Sequence, residues 1–193
     1  MHPFPTEQIK AIEARYSPKG GPLGLASIAI ELAPFEFNGE THNTSLRCDQ
    51  IDLGLDDFSA LAGKSFQFPF NPAPGYVDGS MCLFGVHVFF LTRCLSFGRL
   101  GEESIPLKVE GVLEFSSSGL PRYEDTALLL ETTLYLPLTA AQRVAMVAHA
   151  IKHVDAQSPR DIGKVMAVLA KEHRADGQLA ALSAEAIRIL QTS

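Results

Sequence analysis

Apolar and polar positions recur along this chain with two different periods, and the period changes once, near residue 137. The first segment, residues 5–16, reads as a short helix. Thr6 is a capping residue, and Ile9, Ile12 and Tyr16 recur at spacings of three and four. Ser17-Pro18-Lys19-Gly20-Gly21-Pro22 then stops it. From there to residue 136 the period is two. Ile28, Ile30 and Leu32 alternate with Ser27, Ala29 and Glu31. Leu46 and Cys48 alternate, and Ile51, Leu53 and Leu55 do so on the opposite parity, which predicts a bulge or turn at Asp49-Gln50. Phe66, Phe68 and Phe70 share a face, and Pro69 places them on an edge strand or strand end.

Met81 to Phe97 is the most apolar stretch, too rich in β-branched and aromatic residues for a helix. It predicts one long bent strand or two strands, with the irregularity at Gly85 or at Thr92-Arg93. Leu107, Val109, Leu113 and Phe115 alternate with Lys108, Glu110 and Glu114, a strand with one wet face. Ser116 to Gly119 reads as a turn, and Leu128, Leu130, Leu134 and Leu136 as the last strand. Six to eight turn-separated strands with no helices between them predict an antiparallel sandwich or a jelly-roll-like barrel.

After Pro137-Leu138 the period becomes helical. Thr139 with Gln142 three residues on is a capping-box pattern, and Val144, Val147, Ile151 and Val154 follow at helical spacing. Ser158 caps a second helix with Pro159 at its first position and Asp161 in its first turn. Its stripe is Ile162, Val165, Met166 and Leu169, and Asp176-Gly177 is a turn signal. Leu179, Leu182, Ala186, Ile187 and Leu190 mark a third helix. Each helix is short and amphipathic, so each needs the others, or the β part, as packing partners. The expected class is therefore α+β: an antiparallel β-sandwich or jelly-roll-like domain over 1–137, then a three-helix tail over 138–193.

Composition narrows the picture a little. At 46% hydrophobic and 20% charged over 193 residues, the chain can bury an ordinary core. No apolar run approaches the roughly 18 residues a membrane helix needs. MHPFPTEQIK lacks a basic segment followed by an apolar one, so no secretory signal is expected. Cys48, Cys82 and Cys94 are an odd number without CxxC spacing, which fits a reducing cytoplasm, although Cys82 and Cys94 are candidates for one bridge across a hairpin. Net charge is −6 and uneven: 9 Lys/Arg against 17 Asp/Glu over 1–137, 7 against 5 over 138–193. The first part is thus −8 and the tail +2, an asymmetry that suits a tail with an anionic partner or a body with a basic one.

The tail also carries a motif. The LT-started helix, then SPRDIGKVM (Ser158 to Met166), then RADG (Arg174 to Gly177), then a closing amphipathic helix, resembles the C-terminal tail domain of the B subunit of tRNA-dependent amidotransferases. Free-standing YqeY-type proteins share that tail. The resemblance covers a little over a quarter of the chain. His173 and Glu172 depart from it just before RADG, and the β-rich part resembles neither family. What it implies is a helical module that holds tRNA by shape and backbone. Carried over residue by residue, it points to Lys164 and Arg174 as contacts, to Gly163 as a place of close approach, and to Asp176-Gly177 as the turn.

Phosphate recognition needs Lys and Arg, and the tail offers Lys152, Arg160, Lys164, Lys171, Arg174 and Arg188. It holds no aromatic residue, so base stacking is not available to it. The RNA-binding candidates are Lys164, Arg174, Lys171 and Arg160. Nothing calls for a cofactor or metal: His149 and His153 are four apart on a helix, but no third ligand stands at a motif spacing. Nucleophile-elbow, phosphate-loop and dinucleotide motifs are absent, and Gly20 to Gly24 reads as a loop. His87, in an apolar run, reads as a core or edge histidine, and Asp56-Asp57 and Glu102-Glu103 as wet turn pairs. The expected function is non-catalytic binding of tRNA, other RNA or an RNA-handling partner through the tail. The alternative is a protein-interaction module whose acidic β domain takes a basic partner, the tail being structural. A third is a small-ligand barrel or an enzyme with a site among the Phe-rich strands.

Overall fold

The computed structural model describes residues 2–55, 58–101, 104–172 and 179–192. Two compact units divide the chain, Met1–Leu136 and Pro137–Ser193. In the first lie β1 (Ala11–Ser17), β2 (Ala26–Leu32), β3 (Phe35–Phe37), β4 (Glu40–His42), β5 (Ser45–Ile51), β6 (Ser65–Gln67), β7 (Asp78–Leu83), β8 (Val86–Phe97), β9 (Ser104–Glu114) and β10 (Thr126–Tyr135). In the second lie α1 (Ala140–His153), α2 (Ile162–Glu172) and α3 (Leu179–Thr192). The α+β class of the sequence reading is the observed one.

The β unit is one sheet closed on itself rather than two packed sheets. Around the ring the strands run β1, β2, β5, β7, β8, β9, β10 and back to β1. Every neighbouring pair is antiparallel except β1 with β10. That exception follows from parity: an up-and-down meander of an odd number of strands returns to its first strand pointing the same way. The ring closes where β1 meets β10 at Ala14-Leu134 and Arg15-Tyr135. The β3–β4 hairpin is inserted between β2 and β5, and β6 pairs with the second half of β8. The hairpin turns at Asn38-Gly39, both at positive φ, the two-residue turn that Asn-Gly favours.

Inward side chains fill the ring. Ile28 and Ile30 from β2, Leu46 from β5, Met81 from β7, Phe90 from β8 and Leu113 from β9 are all at most 1% exposed. Phe90 sits where glycines make room: Gly79 is its register partner on β7, and a Cβ added at Gly111 on β9 would meet the Phe90 ring at 2.5 Å. At one end Phe4, Phe37, Phe84, Phe115 and Tyr123 pack ring on ring. Phe84 takes a positive φ of 53° in the β7–β8 turn, a conformation costly for a bulky residue, and its ring stacks on Tyr123 at 5.5 Å.

Several expectations meet the structure directly. Gln50 has φ 59°, and the β2–β5 register slips between Ala26 and Ile28, where β5 carries the extra residue at Asp49-Gln50. The Met81–Phe97 stretch holds both irregularities, a turn at Phe84-Gly85 and a bulge between Thr92 and Cys94. Residues 5–16, however, are not a helix. Thr6–Gln8 make a single 3-10 turn, and Ala11–Ser17 form β1. A register shift between Ala11 and Glu13 breaks the strand's alternation, so its apolar residues imitate a spacing of three and four. Ile12 is consequently 48% exposed, while Ile9 and Ala14 are buried.

The helical unit has its own small core of Leu138, Val147, Ala150, Val165, Leu169 and Leu182, among others. Thr139 and Gln142 form the reciprocal capping box: the Gln142 N–H donates to Thr139 Oγ1 at 3.2 Å, and the Thr139 N–H to Gln142 Oε1 at 2.8 Å. Ser158 accepts from the Arg160 N–H, and Pro159–Asp161 form a 3-10 turn that leads into α2. Val144 and Ile187, assigned to the apolar stripes, are instead 39% and 37% exposed, and Ala150 is buried in α1.

Candidate functional site

The tail's basic residues divide by helix face. Helical geometry puts residues seven apart within about 20° of each other. Lys164 and Lys171 therefore share one line on α2, roughly 10 Å apart along the axis. Both are exposed, and the line faces away from buried Val165 and Leu169. Arg160, four residues before Lys164 in the 3-10 turn, is exposed as well. Three of the four RNA-binding candidates thus come from one continuous segment with a single buried side. Arg174 and the rest of the RADG motif lie outside the described residues, as do His173, Asp56, Asp57, Glu102 and Glu103.

Local electrostatics tie this ridge down in part. Lys164 Nζ donates to Asp161 Oδ1 at 2.9 Å, and Lys164 remains 68% exposed. That hydrogen bond holds the Asp161 carboxyl below the usual carboxylate range, helped by the Gln157 N–H, and pushes the Lys164 amine up. An exposed ion pair of this kind contributes little, so the ammonium is easily diverted to another anion. Arg188 on α3 pairs in the same way with Glu185, at 2.5 Å. Gly163 makes no close approach within the fold: a Cβ placed there meets nothing within 4 Å. His149 and His153 lie 6.2 Å apart, ring to ring, and both are exposed. Among the described residues no group of three His, Cys, Asp or Glu could hold a metal.

In the barrel unit, His87 is not in the core. It points outward on β8, exposed, opposite Cys82. That register also removes the possible hairpin bridge, because Cys94 lies at the far end of β8, opposite Gln67 and Glu110. All three cysteines are free. Cys48 packs inside the ring, 3.6 Å from Thr92 Oγ1, and burial pushes its thiol up to about 12. Cys82 alone of the three is exposed.

The outer wall of the barrel carries two shallow clefts that sequence reasoning did not find. The smaller, about 140 Å³, lies under the 71–77 loop and is lined by Tyr76, Asp78, Phe89 and Glu114, among others. The larger, about 310 Å³, is lined by Val112, Ala127 and Leu129 with Arg93, Lys108 and Glu110. The only sequence signal for them is the apolar residue at wet-face positions, at Phe89, Val112 and Leu129. No helix among the described residues is long and apolar enough to cross a membrane. Comparison of the chain with protein-family models, with curated proteins and with solved structures gives no match.

Proposed function

We propose that this chain is a non-catalytic binding protein whose helical unit contacts tRNA or another structured RNA through its phosphate backbone. The observation that carries this reading is the common line of Lys164 and Lys171 on α2, turned away from the helical core, with Arg160 exposed in the turn just before it. Two features support it. Gly163 leaves the backbone beside Lys164 uncovered, so an external partner can come close. The unit has no aromatic residue, which restricts recognition to charge and shape, the mode that suits folded RNA. The tail motif, similar to that of the amidotransferase B subunit, points the same way.

The test is tRNA binding by the full chain at two salt concentrations. Lys164→Glu with Lys171→Glu lowers affinity by at least about tenfold at low salt and makes the salt slope shallower by about two, one for each lost phosphate contact. Asp161→Asn acts in the opposite direction. It releases Lys164 and raises affinity by ~2- to 5-fold, the worth of an exposed pair. Salt-insensitive binding, or affinity unchanged in the double variant, removes the ridge as the site.

A further inference from the structure

We infer that the outer wall of β7–β10 is a docking groove for an extended segment of a partner protein, one that places a basic side chain two or three residues from an aliphatic one. Exposed apolar side chains gather on this wall and its covering loop. Leu129 is 53% exposed, Phe89 43% and Phe70 38%. On a sheet face that needs only polar residues to stay wet, such clustering marks a contact surface.

The two clefts described above are halves of one groove. Leu91 lines the smaller and Val112 the larger, and these two are direct cross-strand partners. Val112 in turn faces Ala127 on β10. Glu114 is two residues from Val112 along β9, about 6.6 Å, and Asp78 is two strand spacings from it, about 9.6 Å, so two or three residues of an extended ligand at about 3.3 Å each span the halves.

The halves differ in chemistry. Asp78 and Glu114 line the smaller beside the Phe89 and Tyr76 rings, and no Lys or Arg lines it. Carboxylates next to aromatic faces suit a guanidinium or ammonium. The same wall already has an internal version of this contact, with the Arg93 guanidinium 5.5 Å from the centre of the Phe70 ring. In the larger half Lys108 and Glu110 pair with each other at 2.9 Å, which leaves Val112, Ala127 and Leu129 as the surface on offer. The net −8 of residues 1–137 draws a basic partner toward it.

The groove lies on a sheet face. β7, β8 and β9 are ring strands paired on both sides, so recognition over them runs through side chains rather than through an added strand. A shallow exterior groove covers one side of its occupant, which suits a segment of a larger partner better than a small molecule.

The test selects a random linear dodecapeptide library against the full chain and remeasures the enriched peptides on Glu114→Gln and on Leu129→Ser. Both substitutions are at outward positions, and unchanged circular dichroism and melting confirm that each variant folds. The expected peptides pair Arg or Lys with Leu, Ile, Val or Phe two or three positions away, and each substitution lowers their affinity by about tenfold. tRNA affinity is unchanged in both variants, which separates this groove from the helical ridge. Absence of enrichment, peptides without the basic-aliphatic pair, or affinities indifferent to both substitutions overturn the inference. So does a dimer in solution that Leu129→Ser dissociates, because the groove would then belong to a second copy of the chain.

Discussion

The barrel and the helical unit solve the same problem, burial of apolar surface, with opposite means. The barrel is held by strand pairs distant in sequence, such as β1 with β10, and fills its interior with large side chains including Phe90, Phe115 and Met81. The helical unit relies on neighbouring turns and caps, and its core is made of Leu, Val and Ala. A closed ring leaves only its outward positions for partners, and there the wall departs from a plain wet face. The helices leave the side opposite their core, and there Lys164 and Lys171 stand. The two candidate surfaces therefore differ in sign, one acidic with apolar patches and one basic, because each unit has a different kind of unused face.

The largest expected effect separates the two cores. All 12 Phe and 4 Tyr precede residue 138, so the near-UV circular dichroism signal reports the barrel alone, while the 222 nm signal is weighted toward the helices. Phe90→Ala costs about 3–5 kcal/mol and lowers the near-UV urea midpoint; Leu169→Ala costs about 2–4 kcal/mol and lowers the 222 nm midpoint. If each substitution moves both signals together, the two cores are one cooperative unit and the contrast fails.

A smaller effect tests the packing around Phe90. Gly79→Ala puts a Cβ into the Phe90 carbonyl, which cannot swing aside as a side chain would. The expected cost is about 1–3 kcal/mol, read as a lower near-UV midpoint. Gly163→Ala in α2 meets open space and has the opposite sign. It stabilises the helical unit by about 0.5–1 kcal/mol, read at 222 nm, and an unchanged or lower midpoint would show that the glycine has a packing role.

The smallest effects are acid-dependent. Burial alone would raise the Asp125 carboxyl in the barrel, but the Ser116 N–H and hydroxyl outweigh it and hold it below the usual range. In the helical unit the Lys164 hydrogen bond does the same for Asp161. A carboxyl with a depressed folded-state pKa adds stability that is present above its unfolded value, near 4, and is lost as pH falls through the folded value. Asp125→Asn should therefore flatten the acid limb of the near-UV midpoint, and Asp161→Asn that of the 222 nm midpoint. Parallel acid limbs in a variant and the parent would sink that residue's assignment.

Much of this fold was legible because its signals were local. Capping box, Ser-Pro-Arg-Asp helix start and wet-face alternation each lie within a few residues, and each recurs as predicted. The bulge at Asp49-Gln50 was readable as a change of parity. β1 was not, because its bulge disguised the alternation and only pairing with β2 and β10 makes the segment a strand. The β3–β4 hairpin had a legible signal in Asn38-Gly39. For the candidate sites, basic residue types on α2 were visible in sequence, and helical period put Lys164 and Lys171 on one line. The groove was invisible, since Asp78, Glu114 and Leu129 come from three strands.

The sequence by itself determined where the helices and many of the strands start and stop, and which side of most of them is apolar, because caps, turns and periodicity act over one or two turns of chain. Only the tertiary structure decided that seven strands close into one ring with β1 parallel to β10. Closure depends on pairings more than a hundred residues apart, which no local pattern encodes. It likewise decided which outward side chains meet, and so where the barrel offers a groove.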